Sequence, residues 1–201
     1  MPSDEIMQQA IERFREHGGI LRTSEALDLG IHPRTLYALR DAGALERLGR
    51  GLYRLVELPP LSNPDLVTVA LKAPNAVICL ISALAFHELT TQIPHVIDLA
   101  IEQSAEPPRI EHPPLRIFRF SGAAWREGVE THEIDEVPVR IYSPAKSVAD
   151  AFKMRNRVGL NVAIEALKRY RQRFAGGLDD LLHYARVCRV EGVMRPYLEA
   201  I

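Results

Sequence analysis

The sequence predicts an α+β chain: an N-terminal winged helix-turn-helix followed by a mixed α/β domain that ends in helices. Three observations lead there. Two short helical segments are separated only by Gly30-Ile31-His32, a glycine-containing turn of the helix-turn-helix kind. The run LERLGRGLYRLV from Leu45 to Val56 reads as a hairpin with Gly49-Arg50-Gly51 at its tip. Prolines at 59, 60 and 64 then interrupt the chain, and strand-like and helix-like segments follow in mixed order.

Each element has its own signal. Ser3 is placed to cap a first helix, with Asp4 and Glu5 in its first turn, where the helix dipole favours acids. Ile6, Ala10, Ile11 and Phe14 form its apolar stripe, and Gly18-Gly19 stops it. Thr23 is expected to cap a second helix over 24–29, ended by Gly30, and Pro33 to begin a third running to about residue 42. With the hairpin, this makes a DNA-binding type of domain over 1–58. Residues 59–64 are expected to be a linker and 65–201 a second domain.

In the second domain, helices are expected near 65–72 and 82–89, and strands near 96–101, 115–120 and 137–142. Ser143-Pro144 opens a helix with Val148 and Phe152 on its inner face. Asn161 opens another, whose Ala163, Leu167, Tyr170 and Phe174 are expected to point inward. The last stretch, 179–201, reads as helical with a bend at Pro196.

Composition excludes several classes. At 201 residues, 47% hydrophobic and 25% charged, the chain is neither fibrous nor disordered. The longest apolar run, Ala76 to Phe86, is too short to cross a bilayer. Pro2-Ser3-Asp4-Glu5 is no secretory start, so a cytoplasmic protein without membrane association is expected. Cys79 and Cys188 sit among aliphatic residues without zinc spacing and read as buried, unpaired thiols.

The net charge of -1 conceals segregation along the chain. Residues 1–30 carry a net -3. Residues 31–55 carry +3, with Arg34, Arg40, Arg47, Arg50 and Arg54 against Asp41 and Glu46. Residues 140–173 carry +7, their only acids being Asp150 and Glu165. An anionic partner responds to such local fields, which reach about 8–10 Å in salt, more than to the total.

A helical wheel centred on Leu36 and Leu39 turns Arg34, Tyr37, Ala38 and Asp41 outward, with Thr35 and Arg40 at the flanks. Arg34, in the first turn of a recognition helix, is the expected base reader, because a guanidinium forks onto guanine O6 and N7. Arg47, Arg50 and Arg54 on the hairpin are expected at phosphates or a minor groove, where they position rather than specify. The DNA-binding set is thus Arg34, Thr35, Tyr37, Arg40, Arg47, Arg50 and Arg54. A second basic surface, for DNA or another polyanion, is expected from Lys146, Lys153, Arg155, Arg157, Lys168, Arg169 and Arg173.

Enzymatic signatures are sparse. His87-Glu88 begins like a metalloprotease helix, but the residue four after His87 is Thr91. His87 reads as a helix-end or partly buried histidine, and His95, His112 and His132 as scattered loop residues. No phosphate loop or nucleophile elbow occurs. No catalytic residue, metal or cofactor is expected.

The order GGILRTSEALDLGIHPRTLYALRDAGALERLGRGLYRL resembles the winged-helix domain of the AbiEi family of type IV toxin–antitoxin antitoxins, associated with abortive infection of phage-infected bacteria. CLISALAFHELT, PVRIYSPAKSVADAFKMRNRVGLNVAIEALKRY and VMRPYLEAI are similar, in kind and order, to the family's second domain. The resemblance implies a transcriptional autorepressor that binds inverted repeats of double-stranded operator DNA. It also implies an antitoxin that opposes a nucleotidyltransferase-like toxin without a stable complex, as a monomer in solution that is cooperative on DNA. It assigns the basic helices from Lys146 to Arg173 to the antitoxin domain's positive face. The alternative is a ligand-responsive winged-helix regulator whose second domain binds a metabolite.

Overall fold

A computed structural model describes residues 2–200 and divides into two compact units, one ending at Pro64 and one beginning at Asp65.

The first unit starts with helix α1 (Asp4–Glu16), where Ser3 Oγ accepts a hydrogen bond from the Ile6 amide at 3.4 Å. Strand β1 (Ile20–Arg22) leads directly into α2 (Thr23–Asp28). Thr23 is the first helical residue rather than the cap; the Glu25 carboxylate accepts instead from the Arg22 amide at 2.7 Å. Gly30, at φ +77, makes the turn that a side chain would strain. Helix α3 (Pro33–Asp41) follows, with His32 Nδ1 accepting from the Arg34 amide at 3.1 Å.

Strands β2 (Leu45–Gly49) and β3 (Leu52–Leu55) form the hairpin, and β1 joins it, giving the sheet order β1-β3-β2. Register pairs Leu21 with Tyr53 and Glu46 with Arg54, with an irregularity between Arg47 and Gly49. Phe14, Leu21, Ala26, Ile31, Leu36, Leu39, Leu45, Tyr53 and Leu55 make one buried core. The result is a winged helix, as the sequence predicts, with β1 as an addition too short for periodicity to reveal.

Helix α4 (Pro64–Lys72), whose first residue is the last of the first unit, leads into β4 (Val77–Ile78), α5 (Leu80–Phe86) and β5 (Ile97–Glu102) of the second. The second unit continues with β6 (Leu115–Phe120), α6 (Gly122–Arg126), β7 (Val129–Ile134) and β8 (Val137–Tyr142). The five strands lie in the order β6-β5-β4-β8-β7, so β6 and β7 are its edges. Pairing is parallel for β5–β6 and β4–β8 and antiparallel for β4–β5 and β7–β8, a mixed sheet.

Helices α7 (Pro144–Lys153), α8 (Arg155–Val158), α9 (Leu160–Arg173), α10 (Leu178–Val187) and α11 (Glu191–Glu199) complete the chain. Helix α7 packs against α5, α9 and α10, and every residue from Ala145 to Phe152 is buried. It is a central helix, not the one-sided one that Val148 and Phe152 suggest.

Two further expectations are corrected. The final stretch breaks at Arg189, at φ +58, between α10 and α11, while Pro196 lies within α11. Phe174 is 36% exposed beyond the end of α9, stacked on Tyr170 at 5.0 Å between ring centroids. Among the described residues, no helix is long and apolar enough to cross a membrane.

Candidate nucleic-acid interface

Helix α3 presents its two faces as its sequence dictates. Leu36 and Leu39 are buried against α1 and β2, which turns Arg34 and Tyr37 to solvent. Arg34 is exposed and has no side-chain hydrogen bond or ion pair among the described residues, so its guanidinium is available to a ligand. Tyr37 is 49% exposed, and the Arg40 guanidinium lies 5.3 Å from its ring centroid. Arg40 also donates to Asp41 Oδ1 from Nε at 2.9 Å and from Nη2 at 2.7 Å. That hydrogen bond raises the Arg40 pKa and keeps part of its charge occupied.

On the wing, Arg47 is exposed and its Nε donates to the Gly49 carbonyl at 3.1 Å. Arg50 stands exposed at the tip, beside Gly51 at φ +71, and has no side-chain partner among the described residues. The side chains open to an anion are therefore Arg34 and Tyr37 on α3 and Arg50 on the wing, with Arg40 and Arg47 partly engaged.

Two members of the expected set are not on that surface. Thr35 is only 3% exposed, because at the flank of the Leu36–Leu39 stripe it is drawn into the packed side of α3. Arg54 is 4% exposed: its Nη1 donates to Glu46 Oε1 at 2.6 Å, and its Nη2 donates to the Pro59 carbonyl. Strand β3 is the middle strand of its sheet and all four of its residues are buried, so Arg54 ties β2 to the chain leaving the wing. Sequence reasoning also passed over His32, exposed at the N-cap of α3 beside Arg34; the signal was its place immediately before Pro33.

The second basic surface contracts more. Lys146 is completely buried, with Nζ 2.6 Å from Asp150 Oδ2 and 4.1 Å from the Tyr142 ring centroid. Burial pushes the Asp150 carboxyl upward while Lys146 opposes it, and Cys188 Sγ donates to Asp150 Oδ1 at 3.2 Å. Arg169 pairs with Glu165 at 3.1 Å, and Arg173 pairs with Glu88, an acid outside the segment that the linear charge count covers. Arg155 is half-buried and donates to the Phe152 carbonyl at 3.0 Å. Arg157 stays exposed, its guanidinium 4.3 Å from the Phe118 ring centroid, and Lys153 and Lys168 are exposed as well.

His87 is half-buried at the C-terminal end of α5, where its Nε2 lies 2.8 Å from the Tyr142 carbonyl. His132, read as a scattered loop residue, lies on β7 and packs near it, with ring centroids 5.7 Å apart.

Residues 8–56 match the model of the AbiEi_4 family, described as "Transcriptional regulator, AbiEi antitoxin". The match runs from within α1 to the residue after β3 and coincides with the winged helix. It bears out the resemblance over those residues, and the family is one of regulators, not of enzymes. Among solved structures, the fold is similar to that titled "Crystal structure of RV2827C protein from Mycobacterium tuberculosis". The TM-score is 0.60 at 12% identity, over 96% of this chain and 72% of that one. At that identity the likeness concerns the fold alone. No curated protein matches.

Proposed function

Starting from an AbiEi-type regulator domain over residues 8–56, we propose that the chain is a DNA-binding antitoxin and transcriptional autorepressor. It reads inverted repeats in its own promoter and opposes a nucleotidyltransferase-like toxin without forming a stable complex with it. Residues 1–58 carry the DNA contact, and residues 65–201 carry the antitoxin activity in the cytoplasm. The observation that carries this reading is the outward Arg34 and Tyr37 on a helix anchored by Leu36 and Leu39, together with the exposed Arg50 on the wing. A guanidinium in the first turn of a groove-lying helix addresses base edges, and a glycine-flanked arginine at a wing tip addresses the backbone or minor groove.

In this reading Arg34 and Tyr37 enter the major groove, Arg40 and Arg47 exchange their internal partners for phosphates, and Arg50 follows the wing. Arg54 and Thr35 hold the domain's shape. Lys153, Arg157 and Lys168 remain as exposed cations of the second unit for a polyanionic contact. Fluorescence anisotropy with a duplex from the chain's own upstream region, against a scrambled duplex of equal length, tests the proposal. Binding at least about 1000-fold tighter to the upstream duplex is expected of a specific binder. Equal affinity for the two duplexes overturns it.

A further inference from the structure

We propose that His87, Glu130 and His132 form a binding site for one divalent transition-metal ion of the Zn²⁺ type in the second unit. One ligand atom from each of the three lies within 4.8 Å of the other two. Two imidazoles and one carboxylate are a donor set suited to Zn²⁺ and its neighbours and unsuited to Ca²⁺ or Mg²⁺, which take oxygen. This inference is independent of the DNA-binding reading, which concerns the first unit.

The fold explains how the three meet. Glu130 and His132 are two residues apart on β7, and a strand's period of two puts both on one face. The partner strand β8 ends at Tyr142, whose carbonyl lies 2.8 Å from His87 Nε2 at the end of α5. A carbonyl only accepts, so the neutral ring carries its proton on Nε2 and its lone pair on Nδ1. A backbone carbonyl that fixes the tautomer is the usual outer-shell support of a metal-bound histidine.

Zn–N and Zn–O bonds of about 2.0–2.2 Å place tetrahedral ligand atoms roughly 3.3–3.5 Å apart, so the triad must close by up to about 1.5 Å. Rotations of Glu130, exposed, and His132, half-exposed, supply that closure, while His87 stays pinned. At present His132 Nε2 lies 3.1 Å from Glu130 Oε2, an exchangeable pairing that an ion would replace. The triad opens on a cavity of about 470 Å³ that Ser143, Tyr170, Asp180 and Tyr184 also line. Three protein ligands leave a fourth position for water or an outside ligand in that cavity.

The test uses the full chain freed of metal, titrated with Co²⁺ followed by visible d–d absorption and with Zn²⁺ by calorimetry. One ion per chain is expected, with Zn²⁺ displacing Co²⁺ and raising the melting temperature. His132→Ala and Glu130→Gln should each weaken binding by about 100-fold or more, since even outer-shell changes cost 10–100-fold. Glu130→Gln, isosteric at an exposed position, keeps the fold if His132→Ala does not. His183→Ala removes the exposed histidine paired with Glu127 at 2.8 Å and should change nothing. No binding, binding that Glu130→Gln leaves intact, or binding lost with His183→Ala overturns the proposal.

Discussion

Lys146 Nζ and Asp150 Oδ2 lie 2.6 Å apart on successive turns of α7, and neither side chain is exposed at all. An ion pair so placed has given up the hydration of both charges, and only the partners around it compensate. The Tyr142 and Phe120 rings face the ammonium at 4.1 and 5.1 Å from their centroids, and Cys188 donates to the carboxylate. The pair therefore shapes the second core and takes no part in a basic surface.

Lys146→Ala should cost about 3–5 kcal/mol in urea denaturation, because it leaves Asp150 buried without its cation. The double variant Lys146→Met with Asp150→Leu should recover most of that loss. A single variant as stable as the wild type would refute the buried pairing.

Salt dependence should reflect the number of arginines that reach phosphate. With Arg54 internal and Arg34 at a base edge, about three remain, so log K for DNA should fall against log salt with a slope of about -3. A slope near zero would remove the electrostatic footprint altogether.

Arg34→Ala should lose about 1–3 kcal/mol of affinity and relax preference at one base pair. Arg50→Ala should weaken all duplexes alike. Arg54→Ala should instead lower the melting temperature of the first domain while leaving the salt slope unchanged. Competition with single-base operator variants separates the three roles.

Replacing Lys153, Arg157 and Lys168 together with glutamine should leave the melting temperature within a few degrees, as expected for exposed cations. Rescue from the toxin, cooperative operator binding, or both should fall in a cell growth assay and a repression assay. Full rescue with normal repression would reduce these residues to ordinary solvated surface.

Glu165 supplies a pH dependence. Burial works to raise its pKa, but hydrogen bonds from the Thr91 amide at 2.9 Å and Thr90 Oγ at 3.2 Å, with Arg169 nearby, hold it below its usual 4.5. A depressed folded-state pKa means stability that is present above about pH 4.5 and lost as the pH falls through the folded value. Glu165→Gln should flatten the denaturation midpoint across that acid window and leave its slope near pH 7 unchanged.

The legible parts of the molecule are those with local causes. Pro33 after a glycine turn, Gly49 and Gly51 around Arg50, and Ser143-Pro144 each bias their own few residues, and the structure follows them. Strands β1 and β4, of three and two residues, exist only because longer strands recruit them, so no periodicity announces them. Lys146 and Arg54 were misplaced for one shared reason. A charge count includes Glu46 and Asp150 but says nothing of burial, and both cations are internal because β3 is the middle strand of its sheet and α7 is enclosed by α5, α9 and α10. His87 and His132 are 45 positions apart, and only the pairing of β7 with β8 and the packing of α5 unite them.

Strand β7 is an edge of the five-stranded sheet, and Glu130, Thr131 and Glu133 along it are exposed. An open edge invites another chain to continue the hydrogen-bond ladder. A second molecule offering its own β7 in antiparallel fashion would bring glutamates against glutamates, and like charges directly opposite one another destabilise a strand pair. The edge thus carries its own protection against pairing in registers that set Glu130 against Glu130 or Glu133 against Glu133, and neutralising those two carboxylates would favour a closed dimer through β7.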